Sequence, residues 1–119
     1  MSIDQVRAIH AGAGERHVPP LGDYHLLSAA WAEEEFRVFG GEATSFTGGY
    51  WTGEPGAVRF DSWPYDEICV ILKGRVAVRD AAGRRKDFGA GEAFYVPQGF
   101  QGDWITVEPS EKVFLAVSR

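Results

Sequence analysis

Glu67-Ile68-Cys69-Val70-Ile71-Leu72-Lys73-Gly74, followed by Asp80-Ala81-Ala82-Gly83 and by Gly91-Glu92-Ala93-Phe94-Tyr95-Val96-Pro97-Gln98-Gly99-Phe100, reads as strand, turn and strand. The apolar run Ile68 to Leu72 is short and predicts a strand covered on both sides, inside a barrel and under a second sheet or a subunit interface. Leu72-Lys73-Gly74-Arg75 predicts a tight hairpin turn. Asp80 to Gly83, with Asp first and Gly last, predicts another. Between them Arg75-Val76-Ala77-Val78-Arg79 alternates, which places Val76 and Val78 on one face and Arg75, Ala77 and Arg79 on a wet one.

Outward from this stretch the same grammar repeats. The 15 glycines among 119 residues stand singly or in pairs between short runs rich in Val, Phe, Tyr, Trp and Thr. Glycine turns the chain without steric cost, so the spacing predicts an all-β protein. Expected strands are Tyr24 to Trp31, Glu35 to Phe39, Ala43 to Trp51, Ala57 to Trp63, Glu67 to Leu72, Arg75 to Arg79, Arg84 to Phe88, Ala93 to Val96, Gly102 to Val107 and Lys112 to Val117. Ala29 to Glu35 holds good helix formers without a clean cap and competes as one helical turn. Residues 1–42 are expected to be an N-terminal arm with extra strands, and residues 43–119 the barrel.

Composition bounds the function. The 12 basic and 17 acidic residues give a net charge of −5, and 45% of residues are apolar. One domain is expected. Without a basic run, no nucleic-acid partner is expected, because polyanion binding works by counterion release from clustered Lys and Arg. No apolar stretch approaches the roughly 20 residues that a membrane helix needs. Met1 to Arg7 lacks the charged start and apolar run of a secretory signal, and a lone Cys69 cannot form an intrachain disulfide, so a cytoplasmic location is expected.

The motif residues resemble the cupins. The first cupin motif ends in a glutamate, six residues and a glycine, matched by Glu67 and Gly74; the second runs glycine, five residues, Pro-x-Gly, matched by Gly91, Pro97 and Gly99. Gly49-Tyr50-Trp51, Pro55-Gly56, and Gly99 to Trp104 ahead of Val107-Glu108 and Lys112 resemble the subgroup holding the ureidoglycine aminohydrolase cupin domain and the ethanolamine-utilisation cupins. The resemblance spans about residues 43–117 and implies a small double-stranded β-helix barrel of jelly-roll type. Metal-binding cupins carry His-x-His shortly before the motif glutamate and a further His after Pro-x-Gly. Here those positions are Asp61 and Trp63, or Phe60 and Ser62, and then Gly102. Glu67 with Asp61 falls short of the three or four ligands that a first-row metal takes, so neither metal nor cofactor is expected.

The chemistry then rests on Glu67, which the resemblance turns into the barrel. Desolvation there would raise its pKa and suit it to general acid or base work, with Tyr65 and Asp61 as further proton-transfer groups. Trp51, Trp63, Phe94, Trp104, Tyr50 and Phe100 are the expected walls of a ligand pocket, with Cys69 on the Glu67 side of its strand. His10, His17 and His25 stand in no ligand spacing and read as surface or arm residues, and Arg84-Arg85-Lys86 reads as a solvated edge. The expectation is a homodimeric cupin that binds a small polar metabolite. As an enzyme it would be a proton-transfer isomerase or lyase, or aminohydrolase-like. A metal-dependent aminohydrolase and a non-catalytic sensor or structural cupin are the alternatives.

Overall fold

The structure, a computed structural model, describes residues 1–119. Its strands are β1 (Glu15–His17), β2 (His25–Leu26), β3 (Glu33–Gly40), β4 (Phe46–Gly53), β5 (Gly56–Phe60), β6 (Asp66–Lys73), β7 (Arg75–Asp80), β8 (Arg85–Gly89), β9 (Ala93–Val96), β10 (Gly102–Thr106) and β11 (Ser110–Val117). The only helical segments are single 3-10 turns at Ile3–Gln5 and Leu21–Asp23. All-β is therefore correct, and the helical alternative for residues 29–35 gives way to the start of β3.

Six strands form one sheet in the order β1-β3-β4-β11-β6-β9, and five form the other, β2-β5-β10-β7-β8; every pairing is antiparallel. The inward faces enclose one core of Trp51, Val58, Trp63, Cys69, Ile71, Val76, Val96, Trp104, Phe114 and Ala116. On the outer face of β10, Asp103 lies directly opposite Arg59 of β5 and Arg79 of β7 and accepts from both at 2.8 Å, tying three strands together.

One expectation about the central stretch changes. Leu72 to Arg75 is not a hairpin, since β6 pairs with β11 and β9 while β7 pairs with β10 and β8. The turn carries the chain from one sheet to the other. Gly74 takes φ +85°, which side chains rarely adopt, and Ser110 holds the corner: Arg75 N donates to its Oγ at 3.1 Å, and that hydroxyl donates to Glu108 O at 2.7 Å. Asp80 to Gly83 does close the β7–β8 hairpin, with Asp80 Oδ1 accepting from Ala82 N and Arg84 N, each at 2.9 Å. Within the single chain β6 is covered by the barrel on one face, and no second sheet lies over the other. Glu67, Cys69 and Ile71 are buried, whereas Ile68 is 47% and Leu72 44% exposed.

Toward the N-terminus the expected strand Tyr24 to Trp31 shrinks to the two pairs His25↔Arg59 and Leu26↔Val58. Tyr24 and Trp31 instead turn their rings onto the barrel core. β1 was not expected, because Glu15-Arg16-His17 is polar throughout and carries no alternation. It pairs at the sheet edge with β3. No helix is long and apolar enough to cross a membrane.

Candidate functional site

Glu67 is the first inward residue of β6, and β11 runs antiparallel beside it with Lys112 opposite Ile71 and Phe114 opposite Cys69. Lys112 shares its face of β11 with Phe114 and Ala116, so its stem lies inside the barrel. Its ammonium donates to Glu67 Oε2 at 2.7 Å and to Cys69 Sγ at 3.4 Å. Trp63 Nε1 donates to Glu67 Oε1 at 3.1 Å, and the Cys69 thiol to Oε2 at 3.3 Å. Across the core the ammonium sits 4.0 Å from the Trp104 ring centroid and 4.9 Å from that of Trp51.

Lys112 reverses the electrostatic expectation for Glu67. Burial alone would push the carboxyl up, but the adjoining ammonium and the Trp63 and Cys69 hydrogen bonds hold it below its ordinary value. Burial likewise works against the charged lysine, and Cys69 and Glu67 overcome it and raise its pKa. The pair is Glu⁻ with Lys⁺ at neutral pH. In this state Glu67 accepts from Trp63, Cys69 and Lys112 and is the counter-ion of the ammonium. Burial, and then the Glu67 charge, push Cys69 well up, so it remains a thiol. Burial and the Glu67 and Glu35 carboxylates do the same for the Tyr65 phenol.

Above this pair lies a cavity of about 30 Å³, walled by all four tryptophans of the chain, Trp31, Trp51, Trp63 and Trp104, and reached by Glu33, Glu35, Glu67 and Lys112. That volume holds roughly two waters. Tyr24 and Trp31 are part of its wall, the Tyr24 ring meeting Trp31 and Phe60 edge-on at 6.0 and 5.4 Å. Glu33 accepts from Trp51 Nε1 at 2.9 Å and from Trp31 Nε1 at 2.7 Å, and Glu35 accepts from Arg37 at 3.2 Å.

Of the residues singled out from sequence, Glu67, Tyr65, Trp51, Trp63 and Trp104 meet at this cavity. Cys69 lies beside Glu67. Phe94 and Phe100 pack behind the wall, each 5.9 Å from Trp104 and Trp63 respectively, and face a separate groove beside Arg84, Arg85 and Lys86. Two placements are corrected. Tyr50 alternates away from Trp51 onto the outer face of β4, where its hydroxyl donates to Glu111 at 3.0 Å. Asp61 is solvent-exposed and bonds His25 Nε2 at 2.9 Å, because it follows the last residue of β5 and turns out of the barrel. Lys112, Glu33, Glu35, Tyr24 and Trp31 were missed. One signal was present, a lysine at the parity of Phe114 and Ala116 heading the otherwise apolar run Lys112 to Val117.

The donor set does not fit a transition metal. No group of three or more His, Cys, Asp and Glu side chains converges, and Lys112 places a cation against the motif glutamate. At Gly102 a Cβ would run into the Arg79 carbonyl oxygen and the Phe100 ring, so a histidine there would need both the Arg79 backbone and Phe100 to move.

Two antiparallel sheets wrapped into a barrel, with a motif glutamate inside, define a cupin. More narrowly, the chain belongs to the family described as the EutQ-like cupin domain, whose profile matches residues 40–114. Among solved structures it is similar to a putative ethanolamine utilization protein Q from Salmonella typhimurium LT2, at 19% identity and TM-score 0.64, covering 73% of this chain and 70% of that one. The EutQ protein of Clostridium difficile matches at 15% identity and TM-score 0.67, over 82% of this chain and 77% of that one. A DUF861 protein of unknown function from Pseudomonas syringae pv. tomato matches at 18% and TM-score 0.72, over 90% of this chain and 45% of its own. These likenesses establish the fold. No curated protein matches the chain.

Proposed function

We propose that the chain is a small-molecule-binding cupin in which the buried Glu67–Lys112 pair forms the polar floor of an aromatic-walled site. The observation that carries this is the placement of a full ion pair, both members less than 10% exposed, at the base of a cavity rather than in solid core. Burying two charges is costly and is not needed for packing, since apolar residues of similar size are often as stabilising. The pair supplies one fixed donor and one fixed acceptor to a polar ligand, without a metal. Glu67, held ionised, serves in binding and accepts a proton only if Lys112 is displaced.

A second reading, a barrel kept as a filled scaffold, is favoured by the small cavity and by the continuous ring packing Trp51–Trp104–Phe94–Phe88. Tryptophan fluorescence separates the two, because every tryptophan lines the site. A panel of small amines, acids, amides and polyols is expected to contain members that change the fluorescence saturably and raise the melting temperature. A ligand at 100 times its dissociation constant adds about 2.7 kcal/mol. A panel in which no compound does either leaves the scaffold reading standing. We also propose a homodimer through the outer face of the six-stranded sheet, where the apolar cross-strand rows Tyr95–Ile68–Leu115 and Val70–Val113–Tyr50, three residues each, run side by side.

A further inference from the structure

The carboxylates that reach the cavity are not equally compensated. Glu67 has Lys112 at 2.7 Å and Glu35 has Arg37 at 3.2 Å. Glu33 takes part in no ion pair; its two oxygens accept from the indoles of Trp51 and Trp31. An indole N–H is a neutral donor, so it fixes the carboxylate in position and leaves its charge uncancelled. The cavity that Glu33 reaches is lined by the rings of Tyr24, Trp31, Trp51 and Trp63. The barrel already holds one cation against ring faces, Lys112 over Trp104 at 4.0 Å.

A fixed, uncompensated carboxylate within a collar of aromatic rings is complementary to an organic cation, which gains both the charge and the ring quadrupoles. An anion would meet three carboxylates and find the one interior ammonium already bonded to Glu67. We propose that the ligand of this site is a small organic ammonium ion, with Glu33 as its counter-ion and the rings of Tyr24, Trp31 and Trp51 as its walls. This rests on the reading of the cavity as a ligand site. The cavity of about 30 Å³ accepts the ammonium head.

Three probes of equal length separate charge from shape: propylammonium chloride, sodium propionate and 1-propanol, titrated into the whole chain at constant ionic strength. Propylammonium is expected to change the tryptophan fluorescence saturably, with a dissociation constant at least tenfold below those of the other two. Glu33→Gln is expected to weaken it tenfold or more. Glu34→Gln, the same charge loss at the next residue, where the side chain pairs with Arg16, leaves the affinity as in the native chain. Binding of propanol or propionate as tight as that of propylammonium overturns the cation while leaving a ligand site. A flat response to all three overturns the cation and the site together. Should Glu33→Gln fail to fold, the three-probe comparison on the native chain decides alone.

Discussion

At the scale of residues, Lys112 governs what Glu67 does. Removing the ammonium leaves a desolvated carboxylate with only the Trp63 indole and the Cys69 thiol as donors. Lys112→Met is therefore expected to cost about 3–5 kcal/mol in urea denaturation, while the double change Lys112→Met with Glu67→Leu costs less than the single one, since no charge is then stranded. A double variant less stable than the single would show that the pair itself stabilises the fold. At the surface, Asp66 accepts from Gln98 N at 2.9 Å, from Arg119 and from the Tyr95 hydroxyl, and these hold its carboxyl at about 2 against an ordinary 3.8. Its folded pKa lies below the unfolded one, so its contribution is complete above about pH 4 and lost as pH falls toward 2. Asp66→Asn is expected to flatten the stability-against-pH curve in that window and to leave its slope above pH 5 unchanged.

At the scale of elements, the strands of the barrel proper were legible from glycine spacing and alternation because those signals are local. What could not be read was which strands pair. Leu72 to Arg75 has the composition of a hairpin turn, yet β7 crosses to the other sheet because the Gly74 backbone and the Ser110 hydroxyl, 35 residues away from Arg75, together fix the corner. Gly74→Ala is expected to cost at least about 1–2 kcal/mol from the left-handed backbone alone. The Cβ would also meet Ser110 Oγ and the Pro109 carbonyl oxygen. A melting temperature equal to that of the native chain would remove this corner from the account. The segment from Tyr24 to Trp31 was misread for a related reason. Its aromatic content suits a strand, but its rings gain more by packing onto the barrel core than its backbone would by extending β2.

At the scale of the molecule, the apolar residues left outside carry a consequence. Ile68, Leu72 and Tyr95 are exposed on one sheet face, and Val70, Val113 and Leu115 are half-buried between them. An apolar patch of this kind is what the proposed homodimer would bury, each copy presenting the same face across a two-fold axis. Light scattering is expected to give twice the chain mass for the native protein and a single chain mass for Ile68→Lys, whose exposed site tolerates the charge in the monomer. A native protein that runs as a monomer at high concentration would rule the interface out.

The order of short strands, the cupin motif positions and the absence of the usual histidines were determined by the sequence itself, because each depends on neighbours a few residues apart. The glutamate inside the barrel followed from the motif. Its charge state did not, since that is set by Lys112, 45 residues away in the chain and 2.7 Å away in space. The packing of Tyr24 and Trp31 onto the cavity and the position of Glu33 between two indoles were likewise decided only by the tertiary structure, whereas the outward turn of Tyr50 follows from strand alternation beside Trp51. Burial and electrostatics act through distance in space, and local sequence does not encode which residues of distant strands come to face each other.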